Sequence, residues 1–391
     1  MRIAALALPF LLAACDGGPG GGTPFVYATE GTDVALDLAQ DADGALVVAG
    51  STEGVGRPAD GTLALPTVLR FGLDGRLLSA EVYRDVGFGD AVSVLPTDGG
   101  LVVAVASGPD EPGGSALRLY RTDGRGGRGP VLLQPEAAGF APPRALLPAP
   151  DGGVYAAVYR RRAEAPTLYR LAADGEVVWA VRPDGVDVRA LAPAPDGLYV
   201  LGPADGLGTV VARLGADGAE RWRTVRTRTD GAGWQATALA ATADGLVLLE
   251  SRAGFYEGSA VRVVRVSAGG EVGTAVLVAE AEGADGPDAE PPPRVRGSAL
   301  AALPDGGLAV GVVASGPSFD DPPEVTVVTL GPGGAVRARR PFGVRGRWTA
   351  LAALLPLADG RLAAAGAVGP ARISGYGGDD LDVRVEVYPA D

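Results

Sequence analysis

The chain has 391 residues with 61 Gly, 32 Pro, one Cys, no His and a net charge of −13. Lys and Asn are absent as well, so triads built on His, imidazole metal sites and lysine Schiff bases are excluded. The acidic balance argues against nucleic acid as a partner, whose phosphates need a basic footprint. Hydrophobic residues make up 47% of the chain, enough to build a core despite the Gly and Pro content.

Arg2 precedes an apolar run from Ile3 to Leu12, which is too short to span a bilayer and suits the apolar part of a secretory signal. It ends in Leu12, Ala13, Ala14 and Cys15, the only Cys in the chain. These residues resemble the lipobox of bacterial lipoprotein precursors. The resemblance implies cleavage before Cys15, acylation of Cys15 and attachment to a lipid bilayer of the cell envelope, with the mature protein periplasmic or surface-exposed. Residues 1–14 are then a signal peptide, and residues 15–23 a lipidated Cys with a Gly-rich tether. A lone Cys also means no internal disulfide.

From residue 24 onward one unit recurs: a short apolar stretch, an Asp-Gly pair, and a second apolar stretch. The pairs stand at Gly44, Gly99, Gly152, Gly197, Gly245, Gly306 and Gly360, a mean period of about 53 residues. Between them lie hairpins turning at Gly75, Gly124, Gly175, Gly218, Gly270 and Gly334. Asp-Gly between alternating apolar residues is a hairpin signal, read here as a type I′ turn with Asp and Gly at its centre. Two hairpins per period give four strands, a to d, and repeats of this length and strand count form β-propeller blades. Stretch a is rich in small residues and ends in Pro at Pro96, Pro148, Pro193, Pro304 and Pro356, as suits an inner sheet edge. The last repeat lacks strand d, and Pro24–Ala28 has the character of one. The expected fold is all-β: a seven-bladed β-propeller over residues 24–391, four antiparallel strands per blade, with the N-terminal strand completing the last blade.

Leu171 to Trp179 and Leu214 to Trp222 resemble the repeats of quinoprotein-like propellers, in which a turn between the two outer strands is followed by a docking Trp. Ser79 and Gly273 follow the turn in two other blades. The resemblance implies a fold, not a cofactor. Quinone-binding members use a disulfide, Asn and charged ligands, so no cofactor is expected and a quinone-dependent oxidoreductase is disfavoured.

In such a blade the a–b and c–d turns share one face, and the b–c and d–a connections share the other. Nearly all the tight turns fall on the first face and the long loops on the second, where binding residues are more often found. The candidates there are the basic cluster Arg160, Arg161 and Arg162, which suits a carboxylate or phosphate, and the aromatics Phe255, Tyr256, Phe319 and Tyr376. Trp234 and Trp348, with Phe88 and Phe140, stand ten or eleven residues before the next Asp-Gly, a recurrence that fits blade packing or an aromatic channel mouth. Asp320 and Asp321, and Asp379 and Asp380 with Asp382, are weak calcium candidates that match no full calcium loop. No metal site and no catalytic residue is assigned. The leading expectation is a non-enzymatic, lipid-anchored propeller binding a partner protein or an envelope polysaccharide through its long-loop face. The rival is a carbohydrate-active enzyme, hydrolase or lyase, using paired carboxylates near the central channel.

Overall fold

In the computed structural model, residues 23–29, 31–53, 64–86, 88–107, 117–125, 127–133, 146–158, 167–184, 186–204, 208–227, 233–253, 258–282, 293–316, 321–370 and 381–389 are described. Cys15, Arg160–Arg162, Phe255, Tyr256, Phe319, Asp320, Tyr376, Asp379 and Asp380 lie outside them, as does the signal peptide.

The strands form seven four-stranded antiparallel sheets, and six of these run in chain order. Blade 1 is β2 (Asp33–Gln40), β3 (Leu46–Thr52), β4 (Leu65–Phe71) and β5 (Leu77–Val82). Blade 2 is β6 (Gly89–Thr97), β7 (Gly100–Ser107), β8 (Leu117–Thr122) and β9 (Arg128–Leu133). Blade 3 is β10 (Leu146–Pro148), β11 (Val154–Ala157), β12 (Leu168–Leu171) and β13 (Val177–Val181). Blade 4 is β14 (Ala190–Ala194), β15 (Gly197–Ala204), β16 (Gly208–Gly215) and β17 (Glu220–Thr227). Blade 5 is β18 (Gln235–Thr242), β19 (Gly245–Ala253), β20 (Ser259–Ser267) and β21 (Val272–Ala281). Blade 6 is β22 (Arg294–Ala302), β23 (Leu308–Ser315), β24 (Glu324–Leu330) and β25 (Val336–Phe342).

Blade 7 joins both ends of the chain. It runs β26 (Thr349–Pro356), β27 (Leu362–Val368), β28 (Asp382–Tyr388) and then β1 (Thr23–Tyr27). Phe25 pairs with Val385 and Tyr27 with Val383, as the missing fourth strand of the last repeat requires. The first strands of neighbouring blades touch in cyclic order, β26 meeting β2, so the ring is closed.

The core lies between blades rather than inside any one of them. Each sheet is one layer thick with alternating residues on both faces, so it buries its apolar side chains only against its neighbours. Leu46, Leu69, Val385 and Phe25 seal blade 7 to blade 1, while Leu249, Val263, Leu300 and Val310 seal blade 5 to blade 6. Every fully buried Val or Leu of this kind contributes about 1.5–3 kcal/mol. Pro96, Pro148, Pro193 and Pro356 all lie in the innermost strands, where the missing N–H faces no ladder partner.

Several of the turns differ from the expected arrangement. Gly44 N–H donates to Asp41 O and Gly75 N–H to Gly72 O, so in such hairpins Asp occupies the third turn position and Gly the fourth. The Asp side chain accepts the N–H two residues on, as Asp74 does from Arg76 (3.1 Å) and Asp217 from Ala219 (3.1 Å). In these hairpins Asp-Gly therefore marks a turn closed by a left-handed glycine; in blade 2, where Thr97 pairs with Gly100, Asp98 and Gly99 are the two central residues as expected.

Candidate functional site: the loop-side channel mouth

The turn face repeats and is closed on itself. Strand c of blades 1 to 5 carries an arginine at one recurring position: Arg70, Arg121, Arg170, Arg213 and Arg265. Four of these reach the same carbonyl of the next blade's outer turn: Arg121 to Ala173 (2.5 Å), Arg170 to Ala216 (2.8 Å), Arg213 to Ala268 (3.2 Å) and Arg265 to Pro332 (2.9 Å). Arg70, Arg170 and Arg213 also bind the aspartates of their own a–b turns, Asp41 with Asp43, Asp151 and Asp196. The hydrogen bonds from Arg70 and Arg213 are the main reason the Asp43 and Asp196 carboxyls sit below their usual range.

Trp179 and Trp222 dock beside these arginines. Their indole N–H groups donate to Ala216 O and Ala268 O, both at 2.8 Å. Each ring covers a turn glycine of the next blade. A Cβ on Gly218 (φ +80°) would lie 3.2 Å from Trp179, and one on Gly270 (φ +89°) 2.9 Å from Trp222, so a side chain at either position strains the backbone and crowds the indole. In blade 5 the register puts Thr274, not Gly273, in the Trp position, since Ala275 pairs with Val264 as Arg223 pairs with Ala212. The arginines escaped the sequence reading, yet Arg70, Arg170, Arg213 and Arg265 each stand four residues before the first residue of a turn pair, a legible signal.

The loop side of the channel does not repeat. Innermost strands carry a β-bulge near Leu36, Val92, Thr237, Ser298 and Ala352 in blades 1, 2, 5, 6 and 7. In blade 4 the bulge falls at Arg189, which shares Leu201 with Ala190. Two residues before each bulge stand Val34, Asp90, Asp187, Gln235, Arg296 and Ala350. Alternate residues of an innermost strand face the axis, and along β22 Arg294 and Arg296 are exposed while Val295 and Gly297 are buried. The mouth thus runs from apolar (Val34, Leu36) through the acidic Asp90 and Asp187 to polar Gln235 and basic Arg296 in blades 5 and 6. Burial raises the Asp90 carboxyl above its usual range, against a hydrogen bond from Ser51.

The two candidate tryptophans part company here. Trp348 stands four residues before its bulge, as Phe88 does, which places it half-buried on the channel side of β26. Trp234 stands three before its bulge, so its side chain takes the other side of the strand. There the Arg262 guanidinium lies 3.9 Å from the ring centroid and that of Arg252 5.4 Å. Arg262 and, from blade 4, Arg226 both bind Glu250, at 2.7 and 2.9 Å, and Glu250 is only 2% exposed. Trp234 therefore packs on arginines of its own blade, beside the Glu250 cluster that joins blades 4 and 5. Among the described residues no group of three or more Asp, Glu, Cys or His stands together to hold a metal ion, and no helix is long and apolar enough to cross a membrane.

A second buried polar group secures the ring closure. Asp33, fully buried, accepts hydrogen bonds from Thr29 N–H (2.7 Å), Thr29 Oγ1 (2.9 Å) and Thr52 Oγ1, tying the residues after β1 to blade 1. Burial pushes its carboxyl from an ordinary 3.8 up to about 6; Asp382 adds to the rise and the threonine hydrogen bonds oppose it. Burial, and then Asp33, push the Tyr27 hydroxyl up to about 12. The folded state thus holds the Asp33 proton more tightly than the unfolded state does. Its contribution is complete below about pH 4 and is lost as pH rises through about 6, a difference of ~3 kcal/mol. Asp33→Asn should therefore raise stability near neutral pH and leave it unchanged at about pH 4, checked by denaturant unfolding across that range.

No known protein family matches the chain, and no curated protein matches it. Solved structures do. The chain is similar to an ulvan lyase, a polysaccharide lyase, with a TM-score of 0.53 at 11% identity over 91% of this chain and 95% of that one. It is also similar to a quinohemoprotein alcohol dehydrogenase from Pseudomonas putida (TM-score 0.48, 12% identity, 94% and 76% covered) and to Sqt1 from Chaetomium thermophilum (0.44, 14%, 95% and 99%). At these identities the likeness is one of fold: the chain is a seven-bladed β-propeller with a quinohemoprotein dehydrogenase propeller among its structural neighbours.

Proposed function

We propose that the protein is a non-catalytic binding propeller, held on a membrane of the bacterial envelope by acylated Cys15, which captures an envelope polymer or a partner protein at its loop-side channel mouth. The observation that carries this reading is the contrast between the faces. Turn-face arginines and tryptophans recur from blade to blade and hold neighbouring blades together, so selection for packing accounts for them. Residues at the equivalent rim positions change from apolar to acidic to basic around the ring, which packing does not require and recognition does. Kinship with quinoprotein-like propellers is supported by the docking of Trp179 and Trp222, without a cofactor.

The test is co-sedimentation with isolated cell envelopes. Arg296→Glu at the rim, and charge reversal of Arg160–Arg162, should reduce binding several-fold, while Arg76→Glu on the turn face leaves it unchanged. Equal binding by all variants would sink the reading.

The rival, a carbohydrate-active enzyme, has one specific support: Asp90 is a rim carboxyl with raised proton affinity, as a general acid needs. It predicts turnover in a glycan cleavage screen that Asp90→Asn abolishes. A polysaccharide lyase on a similar fold makes polysaccharides the first substrates to screen.

A further inference from the structure

We infer that the outer edge of blade 5 is a second interaction surface, apart from the channel mouth, which takes an extended protein segment carrying basic residues. The segment pairs with β21 as a fifth strand, and one basic side chain enters a cavity at the start of that strand. β21 stands last in its sheet, so among the described residues its outer backbone groups have no ladder partner. With ten residues it is the longest strand described, and residues 272–279 carry no charge. Val272 is 40% exposed and Leu277 54%. The other outer strands are guarded against such pairing. Arginines stud β17 (Arg221, Arg223, Arg226) and β25 (Arg337, Arg339, Arg340), and Pro24 interrupts β1. β5 and β9 have six residues each and β13 only five. Blade 6 takes one backbone acceptor of β21, Val278 O, through Arg339 (3.0 Å), and residues 272–277 lie ahead of it.

The cavity follows from two departures in the repeat. Glu220, Arg221 and Trp222 crowd the start of β17 in blade 4, and by register Val272, Gly273 and Thr274 replace them in blade 5. This leaves about 310 Å³ of space, lined in part by Thr242, Asp244, Leu246, Val266, Ser267 and Glu271. The second departure concerns charge. Arg170 and Arg213 bind the aspartates of their own a–b turns, Asp151 and Asp196, at 2.8 and 2.5 Å. Their counterpart Arg265, which also lines the cavity, donates instead to Pro332 O (2.9 Å) and Gly306 O (3.4 Å) of blade 6. Among the described residues no arginine pairs with Asp244 or Glu271, both exposed. Ser267 Oγ already accepts from Glu271 N–H (3.1 Å), so the two carboxylates and Thr242 carry the recognition. A lysine or arginine side chain suits this lining, its stem on Leu246, Val266 and Val272 and its head between the carboxylates. A second copy of the chain does not suit it. β21 has Glu271 before it, and Glu280 and Glu282 at its end, with only Glu280 held by an arginine, Arg252 (3.3 Å). Two copies paired antiparallel would set these like charges against each other.

The test uses the full chain in detergent and a labelled peptide of alternating Val and Thr with Arg at both ends, followed by fluorescence anisotropy. The peptide should bind, more weakly at high salt. Glu in place of the terminal Arg residues should abolish binding. N-methylation throughout the peptide backbone should weaken it about tenfold, through the lost ladder hydrogen bonds. The double substitution Asp244→Ala with Glu271→Ala should weaken binding several-fold, with thermal unfolding unmoved. Leu277→Arg, which guards the edge as β25 is guarded, should do the same. Equal binding by the acidic-ended or the N-methylated peptide would overturn the inference, as would variants that bind like the wild type or a peptide that does not bind at all. A chain that ignores the peptide but sediments as a dimer, and as a monomer with Leu277→Arg, would assign the edge to a second copy and overturn it too.

Discussion

Phe25→Ala should be one of the most damaging single substitutions in the chain, costing about 3–5 kcal/mol in denaturant unfolding. The residue is 5% exposed, and its ring lies where a Cβ on Gly75 of blade 1 would be, 2.5 Å from it. Phe71 packs against it at a centroid distance of 6.5 Å. Removing the ring opens a void at the only blade seam built from both ends of the chain. Deleting residues 23–29 should do more: it strips β28 of its partner strand, leaves Asp33 without Thr29 and exposes an apolar edge. Hydrogen exchange offers an independent check, since β1 amides bonded to β28 should be protected about as well as those of inner strands. Exchange of β1 at free energies far below global unfolding would show that the latch is not part of the cooperative unit.

Glu250→Ala should cost about 3 kcal/mol, a large loss for one surface-proximal strand. Glu250 is 2% exposed and accepts from both Arg226 and Arg262, so its removal leaves two guanidinium groups facing each other across the seam of blades 4 and 5. Those arginines retain 24% and 18% exposure and can turn partly to water, which keeps the cost at the lower end of the range for broken buried pairs. The substitution should also free the Trp234 ring, because Arg262 loses the anion that holds it there. Tryptophan fluorescence of the folded variant should therefore shift relative to wild type. Stability within about 0.5 kcal/mol of wild type would mean that the cluster is ornamental.

The blade count, strand order and N-terminal closure were legible because each rests on a periodic signal: Asp-Gly pairs at a fixed period, apolar alternation on either side, and a fourth strand missing at one end and present at the other. The turn type was not. The sequence shows that Asp precedes Gly, but whether Gly is third or fourth in the turn depends on the cross-strand hydrogen bond, as Gly44 to Asp41 shows. Trp234 and Trp348 looked equivalent because distance was counted from the Asp-Gly pair. A bulge in each innermost strand resets which side a residue faces, and one residue of offset moved Trp234 from the channel to arginines of its own blade. Rim arginines were invisible for a related reason: Arg294, Arg296 and Arg189 have nothing in common until the ring places them around one opening. The repeated turn-face arginines were readable in principle, because their spacing is regular.

The arrangement of blade 7 has a consequence for how the molecule comes into being. Thr23–Tyr27 is made before the sheets of blades 1 to 6, and its partner Asp382–Tyr388 after them. At about 5–20 residues per second, the opening segment waits for tens of seconds with no mate. Six sheets can assemble in that interval, each from contiguous chain, but the circle cannot shut until β28 has been made. A product cut short before β28 is therefore an open arc with two raw ends.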